Sequence, residues 1–122
     1  ASEVVKKVAI ETKLLYSEYF SAQTGNKVYL KPENMQLTGA YKIRGAYYKI
    51  STLTPEERAK GLITASAGNH AQGVAYAAKA YGCKATIVMP TTTPFVPRSL
   101  ATSSPSFISR IDSRSNALIA IL

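Results

Sequence analysis

The run from Leu62 to Pro90, "LITASAGNHAQGVAYAAKAYGCKATIVMP", constrains this chain more than any other. Its two ends, "LITAS" and "KATIVMP", are apolar, contain β-branched residues and are too short for helices, so they read as buried strands. Between them, His70 to Tyr81 is rich in alanine and stops at Gly82, as a helix does at its C-terminus. "AGN" forms the tight loop before it. Strand, loop, helix and strand within about thirty residues make a βαβ unit, a parallel strand pair joined by a right-handed crossover. The fold class that follows is α/β, a partial open parallel sheet with flanking helices.

The upstream sequence supplies further elements. Val4, Val5, Val8, Leu15 and Tyr19 stand at helical spacing, which predicts a helix over roughly Ser2 to Phe20, with Ser2 as its N-cap. "TGN" at 24–26 makes a turn, and "KVYLK" at 27–31 reads as a short strand ended by Pro32. In "TGAYKIRGAYYKI", Thr38 to Ile50, the apolar residues Ala40, Ile43, Tyr47 and Ile50 share one helical face. Thr54-Pro55-Glu56-Glu57 is a helix start, with Thr54 as cap, proline at the first position and glutamate three residues after the cap. From Pro94 onward the periodicity fades. Three prolines mix with serines, the stretch reads as largely irregular, and the final "ALIAIL" has no evident partner.

Composition excludes several classes. Among 122 residues, 46% are apolar and 18% charged, which is globular rather than disordered. The net charge of +8 raises nucleic-acid binding. Its lysines are scattered from Lys6 to Lys84, however, without a basic run or aromatic interleaving, so a solvated basic surface is the reading and no nucleic-acid partner is expected. No membrane partner is expected either, because the apolar Ala117–Leu122 is far too short to span a bilayer. The opening "ASEVVKKVAIETK" carries charges where a secretory signal has its apolar core. Cys83 is the one cysteine and cannot form an internal disulfide. The cytoplasm is the default location.

Two places have the makings of a site. The loop "SAGNH", Ser66 to His70, lies between a strand's carboxyl end and a helix's amino end, where open α/β sheets bind ligands. Free N–H groups and the helix dipole favour a carboxylate or phosphate there. Gly68 allows close approach and Asn69 offers an amide. The same residues also suit a plain βα loop with a turn glycine and an Asx cap, and His70 suits helix-start packing or hydrogen bonding as well as a base. Lys42 falls in the first turn of its helix, where the positive dipole end favours a neutral amine, the form that attacks a carbonyl. A lysine is otherwise surface charge. No metal-ligating cluster appears.

Together, "ENMQLTGAYKIRGAYYKI" and "TASAGNHAQGVAYAAKAYG", followed by "ATIVMP", resemble the serine/threonine dehydratases (threonine ammonia-lyases). These are pyridoxal-phosphate enzymes of the tryptophan-synthase β-subunit fold type, also called fold-type II. The resemblance covers about residues 3–94 and implies the N-terminal part of that fold. It implies pyridoxal 5'-phosphate as cofactor and Lys42, matching the lysine of an S-F-K-x-R-G motif, as the catalytic residue that carries it. It further implies that Ser66, Ala67, Gly68, Asn69 and His70 grip the substrate carboxylate, with Asn69 also bonding the cofactor's ring oxygen. The substrate would be threonine or serine, and the product a 2-oxo acid with ammonia. Full-length members are expected as homo-oligomers.

Ala40 and Tyr41 stand where the family has Ser and Phe, which keeps size and packing. The related serine racemases carry a second loop serine as an acid/base on one cofactor face. Ala67 holds that position here, which favours elimination over racemisation, although a racemase-like or other β-eliminating relative remains the alternative.

Residues 95–122 hold three arginines, no lysine and seven serines, against ten lysines and two arginines before them. This change of usage, with no match to the family after Pro94, leads to the expectation of an unrelated tail from a frameshifted or truncated reading frame. All seven glycines lie at or before Gly82, whereas the family's phosphate cradle comes later. The 122-residue chain alone is therefore expected to be an inactive fragment.

Overall fold

The structure is a computed structural model and describes residues 1–90, Thr93, 107–111 and 118–120. The expected βαβ unit is present. β3 (Leu62–Ala65) and β4 (Ala85–Pro90) pair in parallel, joined through α5 (Asn69–Ala80). In the ladder Leu62 faces Ala85 and Thr64 faces Ile87. Ala85, Ile87 and Met89 alternate as buried positions along β4, the period-2 pattern of a strand with one covered face. On the other face Ile63 is 77% exposed.

Two helical layers cover the inner face. α5 buries Ala71, Val74 and Ala78 at a spacing of three and four, and Gly73 and Ala77 beside them. One side of it packs on the sheet, where Ala71 meets Ile87 and Met89. The other side meets α3 (Lys42–Ser51), whose stripe is Ile43, Ala46 and Ile50. Ala46, Val74, Ala78 and Ala85 form one cluster through all three layers, closed by Leu62 and Cys83. Ile43 is fully buried, which contributes roughly 1.5–3 kcal/mol. Beyond the far end of α5, Tyr81 lies 4.9 Å from the Tyr47 ring, and Arg58 of α4 (Pro55–Ala59) stacks on it at 5.1 Å.

The helix expected over residues 2–20 does not form. α1 is Ser2–Val5 only, with Ala1 rather than Ser2 at its cap position. β1 (Leu15–Tyr16) then pairs antiparallel with β2 (Tyr29–Leu30), and α2 (Glu18–Thr24) follows from Ser17, whose Oγ accepts the Phe20 N–H. The cause is long-range. Gln36, 4% exposed, imitates a strand partner: its Oε1 accepts the Ile10 N–H and its Nε2 donates to the Ile10 carbonyl, both at 2.8 Å. The Lys31 amine donates to the Thr12 carbonyl. These bonds use backbone groups that a continuous helix would need.

The expected turn at 24–26 holds, with Gly25 left-handed at φ 69°. Thr54 makes the full capping box with Glu57.

The reading of the tail as largely irregular is corrected where the structure describes it. β5 (Phe107–Ile111) continues the sheet in parallel with β4, and β6 (Leu118–Ala120) pairs antiparallel with β5. The sheet order is β3-β4-β5-β6. The apolar end therefore has a partner. β4 presents a second row of N–H and C=O groups, and β5 satisfies it. The irregular reading of residues 94–106 and 112–117 lies outside the described residues.

Candidate active site

Lys42 is the first residue of α3, and the 66–70 loop leads from β3 into α5. The two are far apart in sequence, and Gly73 brings them together. A Cβ at Gly73 would stand 3.2 Å from the Lys42 carbonyl oxygen and 3.3 Å from both the Lys42 carbonyl carbon and the Ile43 nitrogen. Glycine lets the second turn of α5 rest on the first peptide of α3 at this distance.

The α5 start is open. Its N-cap, Gly68, offers no side chain to the turn, and among the described residues no side chain accepts from the N–H groups of Asn69, His70 and Ala71. Ser66 Oγ accepts the Gly68 N–H at 3.3 Å, which leaves its own proton to donate. Ala67, Gly68, Asn69 and His70 are exposed and Ser66 half-buried. Free N–H groups, a hydroxyl donor and the positive helix end together accept an anion of carboxylate size.

Lys42 is exposed, and among the described residues its ammonium has no ion pair or hydrogen bond. A cofactor aldehyde needs such an amine: primary, unpartnered and on a fixed backbone. An uncommitted lysine beside a helix start with free donors fits pyridoxal phosphate at its reactive end. Asn69 is the first residue of α5 and is exposed. Among the described residues no group of His, Cys, Asp and Glu could hold a metal ion, and no helix is long and apolar enough to cross a membrane.

One neighbour escaped the sequence reading. Arg44, two residues after Lys42, forms a two-pronged ion pair with Glu33 on the 3-10 helix Glu33–Met35. The guanidinium holds the Glu33 carboxyl below the usual carboxylate range, mainly through its hydrogen bonds. No helical spacing links residues 33 and 44, so periodicity carries no signal for the pair.

Comparison with known proteins places the chain in a family. L-threonine ammonia-lyase of Thermotoga maritima is 57% identical over 90 residues, 74% of this chain and 22% of that protein. The chain thus spans under a third of the curated relatives it matches. Among solved structures, processed threonine deaminase isoform 2 of Solanum lycopersicum superposes with a TM-score of 0.77 at 44% identity. That match covers 88% of this chain and 30% of the other. Maize serine racemase gives 0.82 at 35%, covering 92% and 34%. Both neighbours are fold-type II enzymes, which fixes the fold class. The family described as "Pyridoxal-phosphate dependent enzyme" matches residues 5–111, from α1 through β5. With Lys42, the open α5 start and the parallel sheet all inside that span, the chain belongs to the pyridoxal-phosphate dependent enzymes.

Proposed function

We propose that the full-length protein carrying this sequence acts as a threonine (and serine) ammonia-lyase: water is eliminated from the amino acid, and hydrolysis of the resulting enamine releases ammonia and a 2-oxo acid, 2-oxobutanoate from threonine. The observation that carries this reading is the Gly73 contact, which sets the Lys42 turn against the helix that opens at the 66–70 loop. The name of the Thermotoga relative supports it. Lys42 would hold the cofactor and Asn69 would bond its ring oxygen. The cofactor, when bound, supplies an electron sink for charge developing at the α-carbon.

The chain's own residues do the rest. The N–H groups of Asn69, His70 and Ala71 and the Ser66 hydroxyl bind the substrate carboxylate, which fixes the α-carbon relative to α3. Lys42 Nζ takes the α-proton. Ala67 has no hydroxyl, so the loop lacks the second acid/base implied for the racemases, and this favours elimination.

In the full-length protein, borohydride reduction in the presence of pyridoxal 5'-phosphate should fix label at Lys42, and Lys42→Ala should abolish both that label and 2-oxobutanoate release. Label and turnover surviving in Lys42→Ala would sink the assignment.

A further inference from the structure

α3 has nothing local to secure its first turn. No side chain at Tyr41 caps it, and the turn contains no acidic residue. Lys42 and Arg44 instead place two cations at the positive end of the helix dipole, which disfavours both.

Glu33 offsets this from outside the helix. Its Oε2 accepts from Arg44 Nε and its Oε1 from the second guanidinium nitrogen, each at 2.8 Å. The Arg44 and Glu33 side chains are 35% and 22% exposed. A fork of this kind fixes orientation as well as distance. The Glu33 element is itself anchored, because Gln36 at its end makes the paired bonds to Ile10. From the other helix, Gly73 backs the Lys42–Ile43 peptide.

We propose that Glu33 and Arg44 are a positioning pair for Lys42: the fork clamps the first turn of α3 between the 3-10 helix and α5, so that the Lys42 side chain leaves the backbone from one fixed place. The inference rests on the reading of Lys42 as the reactive amine.

A purely structural ion pair would alter stability without changing which lysine reacts. A positioning pair changes the selectivity of Lys42 among the ten lysines. The full chain is therefore incubated with pyridoxal 5'-phosphate, reduced with borohydride and peptide-mapped, and the share of label on Lys42 is measured. Helix content is followed by circular dichroism. The variants are Glu33→Gln, Arg44→Lys and the exchange Glu33→Arg with Arg44→Glu. Glu3→Gln, which removes the exposed Lys6–Glu3 pair, is the control.

The Lys42 share is expected to fall about fivefold in Glu33→Gln and Arg44→Lys, the scale of losing a partly shielded charge-assisted fork. It should recover in the exchange and stay constant in the control. An undiminished share in Glu33→Gln at unchanged helix content overturns the proposal. Should Glu33→Gln lose helix, an exchange that restores helix but not the Lys42 share overturns it equally. Label spread evenly over the lysines of the unsubstituted chain overturns the Lys42 reading, and this inference with it.

Discussion

Two glycines inside helices set up a comparison that tests the architecture of the site. Gly45 lies exposed in α3, and a Cβ there meets nothing within 4 Å. Alanine at that position should stabilise the chain by about 0.5–1 kcal/mol, because glycine loses more backbone freedom on folding and favours the helix less. Gly73 in α5 would gain the same propensity term. Its Cβ, however, would press on three backbone atoms of Lys42 and Ile43 at 3.2–3.3 Å. Backbone cannot swing away as a side chain can. The two helices must move apart by a few tenths of an ångström, and the contact lined by Ala46, Val74 and Ala78 loses packing. Overpacking of this kind costs about 1–3 kcal/mol, so Gly73→Ala should destabilise by about 0.5–2 kcal/mol net. Urea unfolding of both variants, followed by circular dichroism and compared at equal m, measures the difference. A Gly73→Ala chain as stable as Gly45→Ala would refute the close approach on which the site depends.

Two further outcomes follow from the electrostatics. Arg44 holds the folded-state Glu33 pKa below its usual 4.5, so the stability this group contributes is complete above the unfolded value and lost as pH falls through the folded one. Stability curves of the unsubstituted and Glu33→Gln chains should therefore converge as pH falls below the unfolded value and through the folded one; a gap that stays constant on acidification would contradict the ion pair. Gly68 has φ −139° and ψ −145°, with open space at its Cβ, so Gly68→Asp should cap α5 and add roughly a few tenths of a kcal/mol of stability. The same carboxylate would occupy the donors proposed for the substrate, and an unchanged kcat/KM for threonine would remove them from the site.

How much was legible from sequence depended on how local the signal was. The βαβ unit and the Thr54 capping box rest on periodicity or on spacings of three or four residues, and both formed; the α3 face formed in part, with Ile43 and Ile50 buried as expected, Ala46 buried rather than Tyr47, and Ala40 ahead of the helix. The helix expected over 2–20 failed because valine spacing says nothing about Gln36, which captures Ile10 from 26 residues away. β5 was hidden by serine and arginine in "FISRI", and it takes its place through the free edge of β4. Within the site, Lys42 and the 66–70 loop were visible as residue types in a recognisable order. Their meeting was not. Its one sequence trace is Gly73 inside the helical pattern "HAQGVAY", a position where glycine signals a close approach but does not name the partner.

The helix starts explain why these two elements form the site. α2 and α4 cap themselves, through Ser17 and through Thr54 with Glu57. α3 and α5 do not, since Tyr41 and Gly68 leave their first turns without a side-chain acceptor. A missing cap costs up to about 1 kcal/mol, and among the described α-helices longer than the four-residue α1 it is forgone at α3 and α5. Neither start is left loose: Glu33 reaches in to α3 through Arg44, and Gly73 locks the two turns together. Satisfying these starts locally would have used the donors proposed for the substrate carboxylate and covered the turn that carries Lys42. The departure from local capping rules thus falls where the proposed ligand chemistry needs it, with tertiary contacts carrying the order that local caps supply elsewhere.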